Sequence, residues 1–164
     1  MPTALEVFRS WQARLRAHDF GDMRDLVDVD GYTEICLGLT PWTVGYQVAL
    51  QNYVKNMVQP WTDLEAREDQ VVAGPDAVVI RSHVSATHTG EFLGIPATGR
   101  RVEWDAITMV QVQGGRVVGQ WAQPDLFSIY RQLTGDQIGG VATLSAPSEG
   151  APNWAQARVV GAGT

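Results

Sequence analysis

The chain has 164 residues, of which 45% are hydrophobic and 18% are charged. This length suits one domain with its own core, and the composition excludes a globally disordered chain. Eighteen acidic against twelve basic residues give a net charge of −6, which argues against a nucleic-acid-binding protein. No apolar run reaches the roughly 18 residues of a membrane span. Since Cys36 is the only cysteine and the start lacks a signal-peptide pattern, we expect a cytoplasmic protein.

Two long helices are predicted in the first third of the chain. Thr3 and Glu6 have the spacing of a capping box, and the apolar residues after them recur at helical spacing, which predicts a helix over 4–17. An extended segment over 29–37 comes next, because it is rich in residues that favour strands. A second apolar stripe predicts a helix over 42–58.

The rest of the chain has mainly strand patterns. Extended segments are predicted over 64–73, 77–89, 101–113 and 116–123, and a short helix over 126–133. Gly74-Pro75-Asp76 and Gly114-Gly115 are turn signals between strands, and 91–100 is predicted to be a loop. From 135 to 164 the chain is rich in Gly, Ala, Ser and Pro, which predicts a flexible or draped tail.

Helices followed by long antiparallel strands predict an α+β protein. We expect a single domain over 1–134, in which a curved mixed or antiparallel sheet wraps around the N-terminal helices. A pocket between the sheet and the helices is the natural ligand site in such a fold.

Strand parity selects the candidate catalytic residues. His88 has the parity of the apolar face of its strand, whereas His83 has the opposite parity. Asp125 is in phase with Trp121 and Gln123, if the last strand extends that far. Asp125 as a general base and His88 as an acid or oxyanion donor could therefore point into one cavity. Two structural alternatives remain: Asp125 caps the helix that follows it, and His88 is a solvated residue at a strand end.

Metal chemistry has little support in the sequence. His83 and His88 fall on opposite strand faces and cannot share a metal ion without a bulge. We therefore expect no metal site. The tryptophans are predicted to be mostly core residues, with some lining a cavity for a flat ligand.

Two segments carry a resemblance to a known family. They are 87–102, THTGEFLGIPATGRRV, and 115–125, GRVVGQWAQPD, the latter followed by YRQL at 130–133. Together they resemble the SnoaL-like polyketide cyclases, over roughly 71–133. The resemblance implies a cone-shaped α+β barrel of the ketosteroid-isomerase superfamily, and a cofactor-free, usually oligomeric protein, here a homodimer or homotetramer.

In this family an Asp after the Trp of the closing strand removes a proton for an intramolecular aldol closure, and Asp125 occupies that position. A His before the Gly/Pro loop helps to polarise the substrate, and His88 occupies that one. Two departures alter the polar set: Gln120 stands where His is common, and 32–36 has the sequence YTEIC where the family often has His or Asn.

The resemblance implies a cyclase or related enzyme of secondary metabolism that acts on a polyketide-like carbonyl substrate, a small hydrophobic or aromatic molecule. Asp125 and His88 are the implied catalytic residues. The expected substrate-binding residues are Gln123, Trp121, Trp104, Trp42, Tyr53 and Trp61. The alternatives are a non-catalytic small-ligand-binding module, or a hydroxylase or epoxide-opening enzyme on the same fold.

Overall fold

The structure is a computed structural model that describes residues 1–136 of the chain. Helix α1 covers Ala4–Arg16 and begins at the predicted capping box. Thr3 Oγ1 accepts a hydrogen bond from the backbone N–H of Glu6 at 3.3 Å, and the Glu6 carboxylate accepts one from the backbone N–H of Thr3 at 2.8 Å. The prediction of this helix is confirmed. No helix in the described part of the chain is long and apolar enough to cross a membrane.

Six strands form one curved, open sheet of mixed direction. The strands are β1 (Thr33–Cys36), β2 (Thr40–Val44), β3 (Trp61–Ala73), β4 (Ala77–His88), β5 (Arg101–Gln113) and β6 (Arg116–Pro124). Their order across the sheet is β2-β1-β6-β5-β4-β3. All neighbours are antiparallel except β1 and β6, which run parallel. The predicted α+β class is confirmed.

The second helix begins later than the sequence pattern predicts. Helix α2 covers Tyr46–Tyr53 and continues as a π-helical segment over Val54–Val58, whereas Trp42 lies on β2. Gly45 separates the strand from the helix with φ at +91°, a conformation that residues with a side chain rarely adopt. The predicted start at residue 42 was therefore wrong, because a helical stripe continues by chance into a strand that pairs with β1.

The later elements agree with the predictions. The turns at 74–76 and 114–115 join long antiparallel strands, and helix α3 covers Leu126–Thr134. The predicted extended segment over 29–37 contains a strand only at β1. Most of the predicted tail, from residue 137 on, lies outside the described residues.

Two hydrophobic clusters pack between the helices and the sheet. The first joins the apolar stripe of α1 to Ile80, Val110 and Val117 of the sheet. The second gathers Trp61 and Trp104 with residues of α3. Side chains from both clusters line the cavity described below, so the cavity lies between them.

Close contact between β1 and β6 depends on Gly119. A Cβ atom at this position would lie 2.5 Å from the carbonyl oxygen of Thr33 in β1. We expect Gly119→Ala to separate the two strands and to lower the free energy of unfolding by about 1–3 kcal/mol, measured by urea denaturation. Gly74→Ala is the matched control, because its added Cβ meets no atom closer than 3.8 Å. Equal stability of the two variants would contradict this account.

Candidate functional site

A cavity of about 260 Å³ lies between the sheet and helices α1 and α2. Most of its wall is aromatic or aliphatic, formed by Phe8, Trp11, Leu15, Tyr53, Met57, Ile80, Val84, Trp104 and Val110. A few polar side chains also reach it, among them Tyr32, Glu34, Tyr46, Asn52 and Gln120. An apolar cavity with a few converging polar groups is typical of a small-molecule site, although those are commonly larger, about 300–1,000 Å³.

Glu34 is the acidic group at the buried end of this cavity. It lies in β1, is only 5% exposed, and shares the inward face with Tyr32 and Cys36, two residues away on either side. The Gln120 side-chain amide donates to Glu34 Oε2 at 3.1 Å, and the Tyr32 hydroxyl lies 3.5 Å from the same oxygen. Asn52 of α2 also lines the cavity, and its side-chain amide donates to Thr43 Oγ1 at 3.4 Å.

Burial raises the pKa of the Glu34 carboxyl, and the neighbouring polar side chains of Asn52, Gln120 and Tyr32 offset only part of this effect. No ion pair involves Glu34 within residues 1–136. A carboxylate held by neutral donors in an apolar cavity is a stronger base than one in water, which is the property a general base requires.

Tyr46 supplies a hydroxyl to the same cavity. Trp11 Nε1–H donates to Tyr46 Oη at 2.9 Å, which leaves the hydroxyl proton of Tyr46 for another acceptor. Burial raises the pKa of Tyr46, so the phenol stays protonated at neutral pH. Glu34 and Tyr46 thus give the cavity one proton acceptor and one proton donor.

A β-bulge in β6 changes which side chains of this strand point into the cavity. Val112 pairs with Val117, whereas Gln111 pairs with Gly119, so Val118 is an extra residue on β6. After the bulge the inward side chains are Gln120, Ala122 and Pro124. Trp121, which is 45% exposed, and Gln123 face the other side of the sheet. The expected alternation, which places Trp121 and Gln123 with Asp125 on the cavity side, is not observed, because the bulge shifts the alternation of β6 by one residue.

Asp125 is the N-cap of helix α3. Its Oδ1 accepts from the backbone N–H of Ser128 at 2.9 Å, which is the capping role considered as the alternative. The residue lies in a shallow groove with Gln123 and Phe127, and it is not among the residues that line the cavity.

His88 lies on the apolar face of β4, as parity predicts, and is fully buried. Its Nδ1 accepts from the backbone N–H of Thr98 at 3.2 Å, so the neutral ring carries its proton on Nε2. That atom has no hydrogen-bond partner among the described residues, and burial lowers the pKa of the ring. His88 packs against Trp61, with ring centroids 5.2 Å apart. The structure does not bring His88 and Asp125 together at the cavity wall.

The remaining predicted binding residues divide into two groups. Trp104 and Tyr53 line the cavity. Trp61 is buried behind Trp104, with ring centroids 5.1 Å apart, and Trp42 is 62% exposed on β2. Two of these four side chains therefore lie at the cavity wall and two do not, and substrate binding by them stays a prediction.

Sequence reasoning missed Glu34, Tyr46 and Asn52. One signal was present: Tyr32, Glu34 and Cys36 alternate in a predicted strand, so a carboxylate shares a face with less polar residues. Tyr46 and Asn52 had no such signal, since each is one polar residue on an amphipathic helix.

No group of three or more His, Cys, Asp or Glu side chains in residues 1–136 is arranged to hold a metal ion. Cys36 lines the cavity, but burial raises the pKa of its thiol to about 11. The thiol is therefore protonated at neutral pH and is a poor nucleophile or metal ligand.

The raised pKa of Glu34 predicts a stability that depends on pH. The folded protein holds this proton more tightly than the unfolded chain, so the associated stability is present below the pKa of an unfolded Glu and is lost as pH rises through the folded pKa. Glu34→Gln removes that loss. We expect the free energy of unfolding of the variant, relative to wild type, to increase as the pH rises above the pKa of an unfolded Glu, about 4.3, and to level off once the folded carboxyl has ionised; urea titrations at several pH values measure this.

Glu65→Gln is the control for this measurement, because the Glu65 side chain is 81% exposed. If the free energy of unfolding of wild type and of Glu34→Gln changed with pH in the same way, the Glu34 pKa would be the same in the folded and unfolded states, which would contradict this prediction.

The cap at Asp125 can be tested separately. Asp125→Ala should lower the free energy of unfolding by about 1 kcal/mol, whereas Asp125→Asn should leave it nearly unchanged, since Asn caps about as well as Asp. Thermal melting of both variants measures the difference. An equal loss in both would mean that the carboxylate charge, and not the cap, stabilises this segment.

Comparison with known proteins identifies the family. The sequence model for SnoaL-like polyketide cyclases matches residues 7–133. A SnoaL-like protein from Jannaschia sp. CCS1 has 21% identity and a TM-score of 0.67, over 84% of this chain and 97% of its own. A SnoaL-like polyketide cyclase from Agrobacterium tumefaciens C58 has 21% identity and a TM-score of 0.64, and the match covers 81% of this chain and 99% of that protein.

An LEH-like epoxide hydrolase from M. tuberculosis has 13% identity and a TM-score of 0.58, over 79% of this chain and 88% of its own. At these identities the structural likeness concerns the fold. No curated protein sequence matches the chain. Because the family match extends over most of the chain and the sheet and helices have the same fold, this protein belongs to the SnoaL-like polyketide cyclase family.

Proposed function

We propose that this protein is a cofactor-independent enzyme that removes a proton next to a carbonyl group of a small apolar substrate and uses the resulting enolate for aldol-type ring closure. The observation that supports this proposal most strongly is the Glu34 carboxylate, 5% exposed and held by Gln120 and Tyr32 at the wall of an apolar cavity. The family match supports the same reaction class.

In this proposal Glu34 is the general base. Its carboxylate accepts the proton from the carbon next to the substrate carbonyl, and negative charge develops on the carbonyl oxygen. The hydroxyl proton of Tyr46, which the Trp11 contact leaves available, stabilises that oxygen. The enolate carbon then attacks a second carbonyl of the same molecule, and the new alkoxide takes a proton from protonated Glu34, which restores the carboxylate.

The wall of the cavity contributes orientation. Trp104 and Tyr53 present flat apolar surfaces that suit an aromatic or alicyclic ring. Because the cavity holds only about 260 Å³, a substrate with several fused rings would extend through its opening. The family resemblance assigns the base to Asp125 and the polarising group to His88; the contacts of the cavity favour Glu34 and Tyr46 for these roles, and the two assignments predict different variants to be inactive.

The test uses a probe ketone, so that the natural substrate is not needed. In D₂O, the protein should accelerate exchange of the α-protons of 2-tetralone, followed by NMR. Glu34→Gln should slow this exchange by at least about a hundredfold, the usual size of a general-base contribution. The wild-type rate should rise with pH as Glu34 ionises, through a pKa above the ordinary Glu value.

Asp125→Asn is the matched variant, because it makes the same change of acid to amide and keeps the cap of α3. We expect it to retain the wild-type exchange rate. Loss of exchange in Asp125→Asn with retention in Glu34→Gln would identify Asp125 as the base. Binding of 2-tetralone without any acceleration of exchange would instead favour a non-catalytic binding module.

A further inference from the structure

The cavity has a second polar region, at its open end. The lining residues most exposed to solvent are Arg16, at the end of α1, and Leu64 and Ala66 of β3, and we call this end the mouth. Glu34, which is 5% exposed, lies at the buried end. Among the described residues that line the cavity, Arg16 is the one with a cationic side chain.

Arg16 is only weakly engaged by the protein itself. Three side chains of α1 approach the same oxygen of Glu68 in β3: Arg9 at 2.6 Å, Gln12 at 2.9 Å and Arg16 at 3.5 Å. Arg9 and Gln12 make the two short contacts, so Glu68 is satisfied without Arg16. A guanidinium has five N–H donors, and the Arg16 side chain is 53% exposed.

The charges at the mouth do not cancel. Burial by itself would raise the pKa of Glu68, but hydrogen bonds from Arg9 and Gln12 and the charges of Arg9 and Arg16 lower it, so this carboxylate stays ionised. Two guanidinium groups then face one carboxylate. Since the Glu68 side chain is only 15% exposed and Arg9 takes its shortest contact, the excess positive charge lies on Arg16, which reaches the cavity.

We propose that the substrate is a keto acid whose carboxylate binds Arg16 at the mouth while its ring occupies the apolar middle of the cavity. This orientation of the substrate rests on the proposed function, in which Glu34 removes the proton at the other end of the cavity. A planar guanidinium binds a carboxylate through two parallel hydrogen bonds, which orients as well as attracts it. The reverse orientation would bring two carboxylates together at Glu34, where no cation compensates them within the described residues.

Two probes that share one ring system test the proposal: 2-naphthoate, which carries a carboxylate, and 2-naphthamide, which is neutral. Calorimetric titration of each into the protein gives the ratio of their dissociation constants. Wild type should bind the carboxylate about tenfold more tightly than the amide, as expected for one charge-assisted bidentate contact. Arg16→Gln should reduce this ratio to about one, with a melting temperature close to that of wild type.

Two further variants test net charge and competition by Glu68. Arg24→Gln makes the same change of charge at a side chain that is 74% exposed and pairs with Asp22, so the preference for the carboxylate should persist. Glu68→Gln removes the competing carboxylate, so the preference should increase. A preference that survives in Arg16→Gln, or that is absent in wild type, would overturn the proposal, and so would a lack of measurable 2-naphthoate binding to wild type.

The outcome is separable from that of the exchange assay, because probe binding involves no proton transfer. Glu34→Gln should keep the carboxylate preference even though it loses exchange. If exchange does not depend on Glu34 but the ratio of dissociation constants still depends on Arg16, the assignment of the base is wrong and the assignment of the carboxylate site at Arg16 is retained. If exchange depends on Glu34 and the ratio does not depend on Arg16, the keto-acid proposal alone fails.

Discussion

The parallel pairing of β1 with β6 is the constraint on which the cavity depends. Its register sets Glu34 opposite Gln120, and both side chains then point to the inward face of the sheet. A slip of one residue would turn Glu34 outward, because successive side chains of a strand point to opposite faces. Gly119 permits this pairing, since the carbonyl oxygen of Thr33 occupies the space of a Cβ atom there. One short strand and one glycine therefore place Glu34 in the cavity.

The two carboxylates of the cavity have opposite electrostatic surroundings. Glu34 is held by neutral amide and phenol donors, and burial raises its pKa, whereas Glu68 is held by guanidinium groups that lower its pKa. When the environments of two acids shift their pKa values apart, the acids are suited to different tasks. The buried acid is suited to exchange a proton with a substrate, and the acid at the mouth is suited to hold α1 against β3.

The same fold supports several chemistries, because a reaction depends on the few polar groups that enter the cavity. The structural relatives include a SnoaL-like polyketide cyclase and an LEH-like epoxide hydrolase. In this chain several of those groups come from β1, α2 and β6. Of the two segments that carry the family resemblance, 87–102 adds no side chain to the cavity wall, whereas 115–125 contributes Gln120. The segments that resemble the family therefore account for only part of the polar groups in the cavity.

Local patterns in the sequence were sufficient for most of the fold. The capping box at Thr3, the alternation in β4 and the glycine turns each depend on residues within a few positions of one another, so the sequence predicts α1, the long strands and α3. The inward position of His88 also followed from alternation alone. The start of α2 did not, because pairing of Thr43 and Val44 with β1 outweighs the local helical pattern.

The candidate site was determined by contacts between residues far apart in the chain. The bulge at Val118 reverses the faces of β6, and no local pattern marks it, because it arises from the register between β5 and β6. Glu34 meets Gln120 across 86 positions, and Arg9 and Arg16 meet Glu68 across more than 50. The sequence by itself determined most of the secondary structure and the fold class. Only the tertiary structure decided that Glu34 lies in the cavity and Asp125 does not, because strand register and burial are properties of the assembled sheet.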